Sequence, residues 1–264
     1  MSVTATIGRR LLSLLFPAPC LECGEADSGG APRLGLCLRC RGQLRWIGRR
    51  GCAGCGRLLE VSPLPPEFRC GSCRAGPLPF DRLWVGWSYE PPFDQIVRSL
   101  KFGRLHYLGR HLGEELCGEL GGRLEGLDLV VPVPLHWRRQ QRRGYNQAEE
   151  IARPLAKGLG LPLRRALRRA RPTPPQARLD RESRTANVRS CFRLRRRAAV
   201  EGRRILLVDD VLTTGATLGA AAACLRQGLC SAVVALAAGI SLAPSQRFRH
   251  RDSKPFYSRY LQEF

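Results

Sequence analysis

Past residue 80 the chain alternates short apolar runs with longer amphipathic stretches. Leu83-Trp84-Val85-Gly86-Trp87-Ser88-Tyr89 reads as a strand, and Phe93 to Phe102 as a helix opened by Pro91-Pro92. A second helix is predicted from Tyr107 to about Leu120. Leu129-Val130-Val131-Pro132-Val133 is wholly apolar, as a buried parallel strand is. A helix from about Asn146 to Lys157 follows, then a buried strand Arg204–Val208, a helix Leu218–Gln227 and a strand Ala232–Ala237. Strands alternating with helices predict an α/β fold with a mostly parallel sheet.

Before residue 80 the pattern is different. Eight cysteines fall in four Cys-x-x-Cys pairs: Cys20/Cys23, Cys37/Cys40, Cys52/Cys55 and Cys70/Cys73. One such turn lets two thiolates reach the same ion, and two turns close a tetrahedral structural zinc site. Glycines at 24, 54, 56 and 71 stand where the backbone turns around the metal. A disulfide framework requires an oxidising compartment, and a redox motif would be one pair rather than four. Spacing alone leaves open two sequential Cys₄ sites, an interleaved pair, or one filled site. The remaining cysteines, Cys117, Cys191, Cys224 and Cys230, read as inert thiols.

Proline-rich Ser62–Pro66 is a stiff loop inside the second cysteine unit, and Gly76–Pro79 marks a boundary after it. The predicted organisation is therefore 1–78 as an N-terminal helix and zinc-binding module, 79–240 as the α/β domain, and 241–264 as a tail. The helix is Arg9–Pro17, whose apolar stretch is short for a signal peptide and lacks a small-x-small cleavage site. The chain has no run of about 18 apolar residues of the kind that spans a membrane, so a cytoplasmic place is expected, if need be at the inner face of the membrane through partners.

Charge changes the picture less than its size suggests. The net charge is +22, but only three of the 44 basic residues are lysine (Lys101, Lys157, Lys254). Such a ratio fits arginine-favouring, GC-rich coding as well as a nucleic-acid surface. The excess still attracts polyanions in a salt-dependent way.

The strongest chemical signal is Ile205-Leu206-Leu207-Val208-Asp209-Asp210-Val211-Leu212-Thr213-Thr214-Gly215-Ala216-Thr217. Two carboxylates end a buried strand, where α/β sheets bind ligands. Thr-Thr-Gly-x-Thr then opens a helix whose N–H groups cradle an anion, and Gly215 lets a phosphate approach the backbone. Carboxylates beside a phosphate cradle suit a ribose 5-phosphate. The glycine pattern of dinucleotide sites is absent.

This segment resembles the phosphoribosyl pyrophosphate (PRPP) motif of type I phosphoribosyltransferases. From about Leu11 to Ala238 the chain is similar to the ComF family of competence-associated, phosphoribosyltransferase-like proteins. The resemblance is carried by the cysteine pairs, Leu100-Lys101-Phe102, Val131-Pro132-Val133-Pro134, Arg138, Arg142-Arg143-Gly144-Tyr145-Asn146-Gln147, Thr173, Gln176, Leu179, Arg184 and Asn187. It implies a type I phosphoribosyltransferase domain behind a double zinc ribbon, with structural Zn²⁺ and with Mg²⁺ accompanying PRPP. Asp209 and Asp210 are then expected on the ribose hydroxyls and the Mg²⁺ water shell. Val208, Val211, Thr213, Thr214, Gly215, Ala216 and Thr217 are expected at PRPP with them, the donors from Thr213 to Thr217 on its 5′-phosphate, and the loop through Pro134 with Arg138, Arg142 and Arg143 at the pyrophosphate. Lys101 stands out as a retained lysine and is expected to meet phosphate. Arg171 to Cys191, without helical or strand period, is expected to close over PRPP and bring in Arg184 and Asn187.

No general base is visible, and the four histidines (His106, His111, His136, His250) are expected on helix or loop surfaces. The leading expectation is transfer of phosphoribosyl from PRPP to an unidentified acceptor. A PRPP-sensing adaptor working with DNA-uptake proteins is the second. A third is single-stranded DNA binding around Trp46 and its arginines Arg41, Arg45, Arg49 and Arg50.

Overall fold

The computed structural model describes residues 19–25, 33–59, 65, 67–76, 78, 80–170 and 191–242. The Arg9–Pro17 helix, most of the Ser62–Pro66 loop, the Arg171–Ser190 segment with Arg184 and Asn187, and the tail beyond Leu242 lie outside the described residues.

Single helical turns α1 (Leu38–Arg41) and α2 (Gly71–Arg74) belong to the cysteine module. They are followed by β1 (Arg82–Ser88), α3 (Phe93–Phe102), α4 (Tyr107–Leu120), β2 (Leu129–Pro132), α5 (Trp137–Arg143) and α6 (Gln147–Gly158). Next come β3 (Leu167–Arg169), β4 (Phe192–Leu194), β5 (Arg204–Leu212), α7 (Ala216–Gln227) and β6 (Ala232–Ile240). The main sheet has the order β1-β6-β5-β2, with every neighbour parallel, while β3 and β4 form a separate antiparallel pair. The expected parallel α/β architecture is the one observed.

Up to their carboxyl ends the strands alternate their side chains between two cores, as the two-residue period requires. Ile205 and Leu207 of β5, Val233 and Ala235 of β6, and Val85 of β1 pack beneath α7 and the β3/β4 pair. Leu206, Val208, Leu236, Trp84 and Trp87 pack under α3, α4 and α6. Helices α4 and α6 approach closely because Gly109 and Gly113 leave room: a Cβ at Gly113 would stand 2.2 Å from the Ile151 carbonyl.

The cysteine module straddles edge strand β1. Its backbone takes up groups that β1 would otherwise expose: Ile47 N–H donates to Gly86 O (2.7 Å), Ser88 N–H to Arg45 O (2.9 Å) and Leu83 N–H to Ala53 O (2.7 Å). The first cysteine unit sends Leu34, Leu36 and Leu44 into the core under α4. The second reaches the opposite core, where Ile47 is buried and Leu58 packs alongside. An open strand edge is a template for aggregation, and the module covers this one.

Three features differ from the sequence reading. Strand β5 does not stop at Val208; it runs through the aspartates to Leu212, paired to β6 at Asp209↔Ala237, Val211↔Gly239 and Leu212↔Ile240. Backbone pairing continues there although the side chains have turned polar. The arginines after β2 lie on helix α5 rather than in a loop, with His136 as its N-cap and left-handed Gly144 (φ 83°) as its C-cap. His136 is therefore buried, not on a surface, and its Nδ1 accepts from Arg138 N–H (3.3 Å).

Candidate functional site

Asp209 and Asp210 stand half-buried near the carboxyl end of β5. Asp209 Oδ1 accepts the Asp210 N–H (2.9 Å), and Asp210 Oδ1 accepts that of Val211 (2.6 Å). Lys101 Nζ, at the end of α3, lies 3.1 Å from Asp210 Oδ2. Burial away from water, with Asp210's like charge beside it, pushes the Asp209 carboxyl up to about 7; the Asp210 N–H, Lys101 and Arg169 pull the other way.

Beyond the aspartates the chain turns at Gly215, which is left-handed (φ 78°) and caps the start of α7. Thr213 and Thr214 are exposed there, and Thr217 is half-buried in the first turn. Thr214 Oγ1 accepts from Ala216 N–H (3.4 Å), and Gly219 N–H bonds Gly215 O (2.8 Å). The opening of a 12-residue helix thus points toward the side of the sheet on which the aspartates end. Val208, by contrast, is wholly buried, and its carbonyl accepts from Val133 N–H (2.9 Å). Its place is beneath the site, not at a ligand.

Across from this turn, Lys101, Phe102, Arg104, Arg139, Arg142, Arg143 and Tyr145 line a cleft of about 300 Å³. Arg142 is exposed and Arg143 half-buried. Arg143 donates to Gln147 Oε1 (2.8 Å) and lies over the Phe102 ring (5.1 Å to the centroid). Its guanidinium feels the Asp210 charge, while burial lowers its pKa. The structure therefore brings Lys101, Asp209, Asp210, Arg142 and Arg143 to one end of the sheet. Half-buried Pro134 follows β2 there, its loop held by Asn146 Nδ2 donating to Val133 O (3.0 Å). Arg138 is exposed instead and lies over the Trp137 ring (5.2 Å).

Arg169 was not singled out by its sequence context. It ends β3, stacks over Phe192 (5.4 Å to the centroid) and interacts electrostatically with Asp209. In a chain so rich in arginine, only a fold that carries β3 back to the sheet distinguishes this one.

The cysteines resolve into two tetrads in sequence order, Cys20/Cys23/Cys37/Cys40 and Cys52/Cys55/Cys70/Cys73, with the ligand atoms of each within 4.8 Å of one another. Cys23 Sγ and Cys37 Sγ are 3.8 Å apart, far beyond a disulfide's ~2.05 Å. Backbone N–H groups converge on the sulfurs: Cys37 N–H on Cys20 Sγ (3.4 Å), and Gly54 and Cys70 N–H on Cys52 Sγ (3.3 and 3.1 Å). Four thiolates in such a cradle suit a closed, structural Zn²⁺. Trp46 is half-buried and meets Trp87 edge-on at 5.1 Å, and neighbouring Arg41 is held by Glu115 (2.9 Å).

Comparison with known proteins agrees with both halves. Residues 11–74 match the double zinc ribbon domain, and residues 141–255 the phosphoribosyl transferase domain. The DNA utilization protein YhgH of Salmonella typhi is 36% identical over 200 residues, covering 70% of this chain and 87% of that protein. Competence protein F of Haemophilus influenzae is 30% identical over 208 residues, covering 72% and 90%. Among solved structures, the glutamine PRPP amidotransferase of B. subtilis is 24% identical over 50% of this chain and 26% of its own, with a TM-score of 0.36. A double zinc ribbon joined to a phosphoribosyltransferase-type domain, with relatives this similar along most of their length, places the chain in the ComF family of competence protein F and YhgH.

Proposed function

We propose that this protein binds PRPP and transfers its phosphoribosyl group to an acceptor. The observation that carries the reading is the Asp209–Asp210 pair set directly before the left-handed Gly215 turn that opens α7. In the transfer the bond from ribose C1 to pyrophosphate breaks, and a bond from C1 to the acceptor's nucleophile forms. The acceptor's proton leaves to solvent or to the departing pyrophosphate.

The first-turn N–H groups of α7, with the Thr213, Thr214 and Thr217 hydroxyls, hold the 5-phosphate. Asp209 and Asp210 accept from the ribose hydroxyls. Lys101 exchanges its Asp210 partner for a phosphate oxygen, while Arg142 and Arg143 neutralise charge gathering on the pyrophosphate beside Pro134. Mg²⁺, a hard cation suited to carboxylates and phosphate oxygens, supplies further neutralisation when bound. Arg184 and Asn187 belong to this reading as residues that contact the ligand. Residues 79–240 carry the chemistry, and residues 1–78 brace it.

A second reading, a PRPP-sensing adaptor in DNA uptake, is favoured by the names of the relatives and by the site's titratable groups. Among the described residues no histidine stands beside the aspartates, and buried His136 is engaged as the cap of α5. In either reading the work is placed in the cytoplasm, at the membrane's inner face if uptake partners recruit it. No described helix is long and apolar enough to cross a membrane.

Calorimetric titration of PRPP with and without Mg²⁺, beside an Asp209→Asn/Asp210→Asn double variant, tests the site. Mg²⁺-dependent binding that the variant loses is the expected result. Absence of binding to the zinc-loaded wild type overturns both readings. Binding without pyrophosphate release across an acceptor panel leaves the adaptor.

A further inference from the structure

The two zinc units are alike in sequence but differ in what they touch. Each places a glycine directly after the second cysteine of its first pair, Gly24 after Cys23 and Gly56 after Cys55, and both are left-handed (φ 73° and 71°). Gly24 is exposed, and a Cβ built on it meets nothing within 4 Å. Gly56 is buried against the sheet: a Cβ there would stand 2.9 Å from Ile240 Cδ1, 3.1 Å from Val85 Cγ2 and 3.3 Å from Leu212 Cδ2. Those three side chains come from β6, β1 and β5, so the second knuckle rests on three adjacent strands.

Leu212 is the link to the site. It is the last residue of β5, two positions beyond Asp210, and its other methyl, Cδ1, would lie 3.7 Å from a Cβ on Gly215. Its carbonyl accepts from Ser241 N–H (2.8 Å), which fixes its backbone to the end of β6. Leu212 is thus packed between the zinc knuckle on one side and the phosphate turn on the other. The knuckle itself is tied down by Ala53, whose N–H donates to Phe68 O (2.8 Å) and whose carbonyl accepts from Leu83 N–H (2.7 Å).

We propose that the second zinc knuckle is a positioning element for the turn that opens α7: its backbone at Gly56, seated against Leu212, holds residues 212–217 in the shape that α7 needs at its start. The first knuckle has no such role. Only the ligand-binding consequence rests on the PRPP reading; the mechanical one does not.

The matched glycines make the test. Full-length Gly56→Ala and Gly24→Ala carry the same left-handed alanine, but only the first presses on Leu212. Amide hydrogen exchange over residues 209–218, zinc content per chain and PRPP affinity in Mg²⁺ are measured for both. With both zinc ions retained, Gly56→Ala is expected to speed exchange in the turn and weaken PRPP binding by about tenfold, because the added methyl crowds Leu212 and displaces the turn, the left-handed cost being common to both variants. Gly24→Ala is expected to leave exchange in the turn unchanged. Equal effects of the two variants, or no change in the turn with Gly56→Ala, overturn the proposal.

Should Gly56→Ala lose zinc or fail to fold, Leu212→Ala removes the same contact while sparing the knuckle. Faster exchange at 213–217 in Leu212→Ala, matched when the second zinc is lost in Cys70→Ser but not when the first is lost in Cys37→Ser, then supports the coupling. Unchanged exchange in Leu212→Ala, or equal effects of the two cysteine variants, refutes it. If the wild type fails to bind PRPP, the proposed function falls, while the exchange measurements still decide whether the knuckle holds the turn.

Discussion

Asp209 titrates from a position that disfavours its charge, and this gives the site a pH dependence with a definite sign. Its folded-state pKa, about 7, lies above the 3.8 of an ordinary aspartate, so between those values the folded chain holds a proton that the unfolded chain has released. The resulting stability is fully present below pH 4 and is lost as pH rises through 7. The melting temperature of wild type relative to Asp209→Asn is therefore expected to fall between pH 5 and 8; a parallel pair of curves would contradict the assignment. On the proposed function PRPP binding is expected to run the opposite way, because a ligand accompanied by a cation would need Asp209 charged. Its affinity is expected to rise over the same interval in wild type and to stay flat in the variant.

Lys101 is the other residue whose worth is measurable alone. Its ion pair with Asp210 is only partly shielded, with side-chain exposures of 22% and 15%, so its loss costs about 1 kcal/mol of stability or less. The larger effect of Lys101→Ala is expected on PRPP, a roughly tenfold loss of affinity in titration for one charge-assisted phosphate contact. Lys101→Arg recovers part of it.

Among the elements, α4 is where the first zinc unit is pinned. Glu115 is buried on it and bonds Arg33 (3.1 Å) and Arg41 (2.9 Å) from the cysteine module. Replacing Glu115 with Ala strands Arg41, which is itself only 11% exposed, and is expected to destabilise the protein by about 3 kcal/mol in urea unfolding. Amide exchange should quicken in residues 33–44 before the parallel sheet is affected.

The elements with strong apolar periods were legible beforehand: four strands and the helices between them, because buried parallel strands such as Leu129–Val131 carry no polar residue to blur them. Strands β3 and β4 were not. Leu167-Arg168-Arg169 and Phe192-Arg193-Leu194 are three residues each, too short for any period, and acquire meaning only from their mutual pairing. Helix α5, Trp-Arg-Arg-Gln-Gln-Arg-Arg, has no apolar face to announce it and is held by its caps. The Gly215 turn and the aspartates could be read because their sequence pattern is local. Arg169 could not, since its neighbourhood with Asp209 is made by the fold.

For the whole molecule, the two tetrads imply two zinc ions per chain, one bracing each face of the sheet at β1. Native mass spectrometry is expected to count two, with one lost in Cys37→Ser and the other in Cys70→Ser. Stripping both with a chelator uncovers the β1 edge and should lower the melting temperature by roughly 10–20 °C, as a loss of about 5 kcal/mol does for a chain of this size. Aggregation on warming follows from the bared edge. The seat of the second knuckle also bears on how the chain is made. Its cysteines are complete at residue 73, yet the side chains it rests on include Leu212 and Ile240, which emerge from the ribosome far later. At about 5–20 residues per second the nascent zinc unit waits on the order of ten to thirty seconds with its inner face uncovered. During that interval it is a natural client for a chaperone.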